Sequence, residues 1–246
     1  MSDFDSDVMA RLAANGSDAD LKAGARAFMH PSVDARYSYN FSWLGRPIIQ
    51  YPQDIVAMQE ILWSVQPDLV VETGIAHGGS LIFSASMLEL NAACGGPADA
   101  RVIGIDVDIR AHNRAAIEQH PMCKRISMIQ GSSVAPDVVA QVRAAAVGRQ
   151  RVLVCLDSNH THEHVIAELE AYAPLTTVGS YCVVFDTIIE EMPAGTYPDR
   201  PWGPGNSPKS AVDAFLRGHS EFERDTRVDH KLLISVASGG YLRRVC

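Results

Sequence analysis

The sequence predicts an α/β protein: a mostly parallel, doubly wound, Rossmann-like sheet with helices on both faces and a C-terminal antiparallel strand pair. Three observations predict this. From residue 69 onward, short apolar runs alternate with stretches of helical period. Repeated strand–helix units of this kind close as a parallel sheet covered on both faces. The apolar runs end in acids or glycine-rich turns, where open α/β sheets bind ligands. Finally, His230–Val236 and Gly240–Val245 flank Ser238-Gly239-Gly240 and read as paired strands.

Taken in order, residues 1–40 are polar and rich in small side chains, with helices expected over Ser6–Asn15 and Asp18–Met29. They read as an N-terminal helical arm ahead of one domain spanning residues 41–246. Tyr51-Pro52-Gln53-Asp54 opens a helix over Gln53–Val65, which Pro67-Asp68 stops. Strands are then expected at Leu69–Glu72, Arg101–Asp106, Ile126–Gln130, Arg151–Asp157 and Ser180–Asp186. The helices between them are expected at Ser80–Leu90, Ile109–Gln119, Pro136–Ala146 and His162–Ala173. A proline- and glycine-rich stretch, Glu190–Lys209, precedes a helix at Ser210–Leu216. A loop that long in a compact domain is usually functional.

Composition narrows the function. With 246 residues and 47% apolar side chains, the chain suits one large domain with a sizeable core. A net charge of −8 excludes a general nucleic-acid binder, which needs a basic face. Five scattered cysteines, odd in number and without metal-ligand spacing, read as reduced thiols. The acidic N-terminus has no long apolar run, so neither a signal peptide nor a membrane span is expected there. The expected setting is the cytoplasm, with no membrane partner.

The first strand runs into Glu72-Thr73-Gly74-Ile75-Ala76-His77-Gly78-Gly79-Ser80. Glycines let the backbone turn sharply and approach a ligand, and the following helix presents N–H groups at its start. The spacing is not Gly-x-Gly-x-x-Gly, and the acid before the turn would repel a diphosphate. That acid suits a ligand carrying a sulfonium and an ammonium group. The second strand ends in Asp106, placed to accept ribose hydroxyls, while Asp108 could cap the next helix. The third ends Gln130-Gly131-Ser132-Ser133, a place for adenine or simply a polar turn.

The fourth and fifth strands deliver Asp157 and Asp186 to the same edge. Two carboxylates on neighbouring strand ends can chelate a hard cation such as Mg²⁺, which would acidify a bound hydroxyl. They could instead be helix caps. His160, just past Asp157, has the proton affinity of a general base, against a bland reading as a solvated loop residue. His162 and His164 read as surface positions, and a three-histidine zinc site lacks cysteine support.

Together these segments resemble the cephalosporin hydroxylase-like family, related to the macrocin and mycinamicin sugar O-methyltransferases. The matching stretches are Tyr51-Pro52-Gln53-Asp54, Val71-Glu72-Thr73-Gly74 through Gly78-Gly79-Ser80, Gly104-Ile105-Asp106 and Gln130-Gly131-Ser132-Ser133. Leu156-Asp157-Ser158-Asn159-His160, Phe185-Asp186-Thr187, Gly203-Pro204-Gly205 with Ala211-Val212, and Gly239-Gly240-Tyr241-Leu242-Arg243-Arg244-Val245 continue the series in order. The resemblance implies a class I methyltransferase fold, S-adenosylmethionine, a divalent metal and a homo-oligomer. It implies Glu72, Thr73, Gly74, Gly78, Ser80, Asp106, Gln130, Ser132 and Asp157 around the cofactor, Asp157 and Asp186 on the metal, and His160 as base. The family carries an acidic pair where this chain has Phe185-Asp186.

The expected function is methyl transfer to a hydroxyl of a small-molecule acceptor: a sugar, nucleotide sugar or glycoside. Tyr51, Tyr197, Trp202 and Asn206 are the candidate acceptor wall. The alternatives are an oxidoreductase or hydroxylase component, for which no facial triad, flavin or haem signature is present, and a non-catalytic S-adenosylmethionine-binding module.

Overall fold

A computed structural model describes residues 2–246. Two helices come first: α1 (Asp3–Ser17), whose N-cap Ser2 forms a capping box with Asp5, and α2 (Ala19–Asp34), capped by Asp18. A short hairpin, β1 (Ser42–Trp43) and β2 (Arg46–Pro47), follows, then α3 (Pro52–Val65). The alternating units are β3 (Leu69–Thr73), α4 (Gly79–Ala93), β4 (Arg101–Asp106), α5 (Ala111–Glu118), β5 (Ile126–Gln130) and α6 (Pro136–Ala146). They continue with β6 (Val152–Leu156), α7 (His162–Tyr172), β7 (Tyr181–Val184), α8 (Pro208–Leu216), β8 (Phe222–Arg224), α9 (Thr226–Leu232) and β9 (Tyr241–Arg244).

Among the described residues the main sheet has seven strands in the order β5-β4-β3-β6-β7-β9-β8. The first five are parallel, and β9 pairs antiparallel with both β7 and β8. β3 and β6 are buried along their whole length, which is why their sequences read as unbroken apolar runs rather than as an alternation. Two apolar layers flank the sheet. One is built on Leu62, Leu81, Ile82 and Leu88, the other on Val142, Leu169, Val212 and Phe215.

The order reverses between β4–β5 and β6–β7 on either side of β3. The ends of β3, β4 and β6 therefore diverge around a crevice at the topological switch point.

The predicted strand at His230–Val236 is not formed. Asp225 caps α9 by accepting from the Arg227 N–H, and the helix runs through His230, Lys231 and Leu232. The following residues answer to a buried acid rather than to a strand ladder. Ser235 Oγ and the Val236 N–H donate to Asp54 of α3, at 2.6 and 3.0 Å. The antiparallel pair at this end is β8 with β9 instead.

Candidate active site

The turn after β3 is held in a demanding conformation. Gly74 and Gly78 have φ of +89° and +82°, and Ala76 sits at +45°, where non-glycine residues are rare. Asp106, at the end of β4, accepts from the Ile75 and Ala76 N–H groups at 2.8 and 3.2 Å with one oxygen. Its other oxygen takes the Asp108 N–H at 3.0 Å. The predicted ribose acid therefore also shapes the turn, and Asp108 stays exposed.

Glu72 is 4% exposed, and the Ser80 hydroxyl of α4 donates to it. Burial pushes its carboxyl up to about 7, against a partial pull down from Ser80 and Ser84. Thr73 is fully buried, and its hydroxyl and carbonyl oxygens accept from the Asp157 N–H at 3.3 and 3.0 Å. Its side chain braces β3 against β6. Gln130 accepts from Arg114 at 3.2 Å, and Ser132 opens the turn that leads to α6, its carbonyl taking the Ala135 N–H.

Since folding raises the Glu72 pKa, it favours the neutral acid. The stabilising preference is complete below the ordinary glutamate value and is lost as pH rises towards 7, a loss of about 3 kcal/mol. Ligand-free Glu72→Gln should match the wild-type melting temperature near pH 4 and exceed it by roughly 6–12 °C near pH 8. An equal difference at both pH values would reject desolvation of Glu72 as the cause.

The third part of the site gathers the predicted acids and the histidine. One donor atom from each of Asp157, His160 and Asp186 lies within 4.8 Å of the others. His160 Nε2 is 3.1 Å from Asp186 Oδ2. The Trp202 ring meets the His160 imidazole edge-on, with centroids 4.8 Å apart, and the Arg200 guanidinium lies 5.2 Å from the Trp202 ring centre. Burial pushes the Asp157 carboxyl well above the usual range, helped by the charges of Asp186 and Glu72. A group that resists ionising alone gains most from a cation. The two carboxylates form a hard, anionic donor pair that fits a divalent ion, with the imidazole beside it.

Asp186 itself is left-handed, with φ +54°. Phe185 before it is 3% exposed and turns into the apolar layer beside α3 and α4, near Met58 and Phe83. Glu190 is occupied elsewhere. It accepts from the Gly205 N–H with both oxygens at 3.0 Å, and from Ser207 Oγ at 2.5 Å. It thereby pins the 203–207 loop to the segment after β7.

The predicted acceptor wall divides. Trp202 borders His160, as above. Tyr51 is 2% exposed, packed under α2, with its hydroxyl 2.7 Å from Ser32 Oγ. Tyr197 packs on the same small cluster as Met29, Ile188 and Met192, and burial pushes its phenol up to about 12. Asn206 serves its own loop: its amide donates to the Pro201 carbonyl at 2.7 Å and its oxygen takes the His162 N–H at 2.9 Å.

His162 and His164 are not simple surface residues. His162 Nδ1 lies 2.8 Å from Ser210 Oγ of α8. His164 Nε2 lies 3.1 and 3.2 Å from Ser133 and Ser158, over the fully buried Glu168, which takes the Ser158 hydroxyl at 2.6 Å. Glu168 lies on the inner face of an amphipathic helix, and its spacing gave no hint of a role.

A doubly wound sheet with this strand order, a glycine-rich turn after its central strand and acids at the neighbouring strand ends define an S-adenosylmethionine-dependent methyltransferase of class I. Solved structures agree on the fold. A CmcI structure with Mg and SAM superposes with a TM-score of 0.58 at 20% identity, covering 85% of this chain and 78% of that one. The O-methyltransferase TomG from Streptomyces achromogenes, in complex with SAM, gives 0.56 at 15% identity, covering 94% and 92%.

The chain belongs to the rhamnosyl O-methyltransferase/CmcI family, whose model matches residues 35–245. It is an S-adenosylmethionine-dependent O-methyltransferase. A rhamnosyl O-methyltransferase of Mycobacterium leprae (strain TN) is 29% identical over 205 residues, covering 82% of each chain. One from Mycobacterium bovis (strain BCG / Pasteur 1173P2) is 29% identical over 196 residues, covering 78% of this chain and 73% of its own. The match begins after α2, and the hydroxylase reading is not favoured.

Proposed function

We propose that the protein methylates a hydroxyl of a sugar or glycoside, with a divalent cation held by Asp157 and Asp186 and with His160 as general base. The observation that carries this reading is the convergence of those three donors within 4.8 Å directly beside the glycine-rich turn. An ideal Cβ on Gly74 would lie 2.0 Å from the Asp157 carbonyl oxygen. The sugar acceptor is supported by the names of the mycobacterial relatives.

S-adenosylmethionine supplies an electrophilic methyl on a sulfonium, and the cation would lower the pKa of the acceptor hydroxyl it binds. The chain's own part is positioning and proton removal. Glu72 offers a buried carboxylate for the ligand's ammonium group. Asp106 lies at the ribose end, and Gln130 and Ser132 at the adenine end. Gly74, Gly78 and Ser80 shape the turn between them. With Nε2–H donating to Asp186, the His160 ring keeps its lone pair on Nδ1, and the acceptor's proton goes there. Trp202 walls this ring, and Tyr51 and Tyr197 belong to the neighbouring cluster of Met29, Ile188 and Met192.

Residues 1–40 form an arm in this reading. Its Met29 and Ser32 close the side of the site on which Tyr51 lies. The apolar Phe4 and Met9 that α1 leaves exposed support self-association. All five cysteines are free, which supports work in a reducing compartment such as the cytoplasm. Among the described residues no helix is long and apolar enough to cross a membrane.

The test is mass-spectrometric product detection with S-adenosylmethionine, comparing rhamnosides, other glycosides, nucleotide sugars and small phenols, with Mg²⁺ or with EDTA. Methylated glycosides formed only with the cation are expected. Methylation confined to phenols, or activity indifferent to EDTA, would reject the acceptor or the metal respectively.

A further inference from the structure

We propose that Arg46 and Asn113, which lie outside the β3 turn, are positioning residues that hold the cofactor turn preformed, making the β1–β2 hairpin part of the cofactor site. This rests on the reading that the glycine-rich turn binds S-adenosylmethionine.

The turn exposes two carbonyls that its own residues leave unpaired, and both are taken from outside. Arg46 Nε and Nη2 donate to the His77 carbonyl at 3.0 and 2.5 Å. The same Nη2 donates to Asn113 Oδ1 at 3.0 Å, and Asn113 Nδ2 donates to the Ala76 carbonyl at 2.9 Å. Asn113 is 3% exposed, so its amide has no solvent alternative and its orientation follows from its two partners.

These bonds matter because the turn is strained. Ala76 at φ +45° carries a conformational cost of about 1–2 kcal/mol, and such residues persist only where the surroundings over-determine them. Asp106 fixes the N–H side of the turn, at residues 75 and 76. Arg46 and Asn113 fix its C=O side, at residues 76 and 77.

The hairpin is itself anchored to do this. A Cβ on Gly79 would lie 2.1 Å from the Pro47 carbonyl oxygen, so the strand presses directly on the first residue of α4. Trp43 Nε1 donates to Ser86 Oγ at 2.9 Å, and His120 Nε2 lies 3.0 Å from the Leu44 carbonyl. The guanidinium therefore projects from a clasp fixed at both ends. A preformed turn lowers the ordering cost of binding. Removing the clasp should therefore weaken cofactor affinity and leave the acceptor side unaffected.

The experiment uses the full chain. Calorimetry with S-adenosylhomocysteine and steady-state kinetics are run on wild type, Arg46→Met, Arg46→Lys, Asn113→Ala and the Arg46→Met/Asn113→Ala double variant. Arg46→Met should raise both the Kd for S-adenosylhomocysteine and the KM for S-adenosylmethionine about 10–30-fold. Its kcat at saturating cofactor and its KM for the acceptor should stay within about threefold. Arg46→Lys should recover part of the affinity through one donor to the His77 carbonyl. The double variant should lose less than the sum of the two singles, because the residues share a bond.

Unchanged S-adenosylhomocysteine affinity in folded Arg46→Met and Asn113→Ala would overturn the proposal, as would equal losses in cofactor and acceptor KM. Should Arg46→Met fail to fold, Arg46→Lys decides by the same split. If wild type itself does not bind S-adenosylhomocysteine, the underlying reading of the turn fails, and that result is distinct from the others.

Discussion

Replacing His160 by alanine is expected to lower kcat by about 10²–10⁴-fold, while S-adenosylhomocysteine affinity stays within about threefold of wild type. The residue contacts Asp186 and Trp202 and is not among the proposed cofactor ligands, so the loss should fall on chemistry. Asp186→Asn should cost a comparable factor, because it removes both the partner of the imidazole and one of the two proposed cation ligands. The double variant should be little worse than either single, since groups acting as a unit are not additive. Initial rates across pH and single-turnover measurements check this. Full activity of His160→Ala on the right acceptor would remove it from the mechanism, and the Asp157–Asp186 pair would then have to account for deprotonation alone.

The second large effect is structural. Gly74 has φ +89°, and a Cβ there would lie 2.0 Å from the Asp157 carbonyl oxygen, 2.6 Å from its carbon and 3.1 Å from Ser158 Cα. Gly74→Ala therefore combines a left-handed penalty with a clash against backbone that cannot rotate away. A loss of about 3–5 kcal/mol is expected, seen as a drop in melting temperature of about 6–20 °C. Cofactor binding should be lost with it, because the clash pushes β3 from β6 at the point where turn and acid cluster meet. Thermal unfolding followed by calorimetry tests this. A folded Gly74→Ala that binds S-adenosylhomocysteine normally would show that the strand ends tolerate separation.

Much of this arrangement could be read from residue order. Arg101–Asp106, Ile126–Gln130 and Pro136–Ala146 form with the expected bounds, because each is bracketed by strong local signals: an acid, a polar turn or a proline at the first helical position. Asp157, His160 and Asp186 were legible for the same reason, since apolar strands deliver them to one edge.

The misses share a physical cause. Leu232-Leu233-Ile234 looks like a strand, but its neighbours are claimed by Asp54, which is 181 residues from Ser235 in the chain, and no local pattern reports that. β8 is only three residues long, too short to show a period. Tyr51 and Asn206 were expected in the acceptor wall, and residue order did not report the partners they take, Ser32 under α2 and the Pro201 carbonyl within the 201–206 loop. Arg46, Asn113 and Glu168 were invisible because each acts through a contact that exists only after folding.

Among the described residues, Asp54, Glu72, Asp157 and Glu168 have no lysine or arginine within ion-pair distance, and hydroxyls, a backbone N–H and one histidine are the partners they do find. A fold that holds acids inside without a basic partner is poised to be stabilised by mass action, because a bound cation lets them ionise. Any cation or cationic ligand that binds only the native state adds about 2.7 kcal/mol at a hundredfold excess over its Kd. That corresponds to roughly 5–11 °C in melting temperature for a chain of this size. The protein's lifetime in a cell or a storage buffer should therefore follow the supply of its own ligands, so that starvation for the methyl donor shortens the life of the catalyst as well as slowing it.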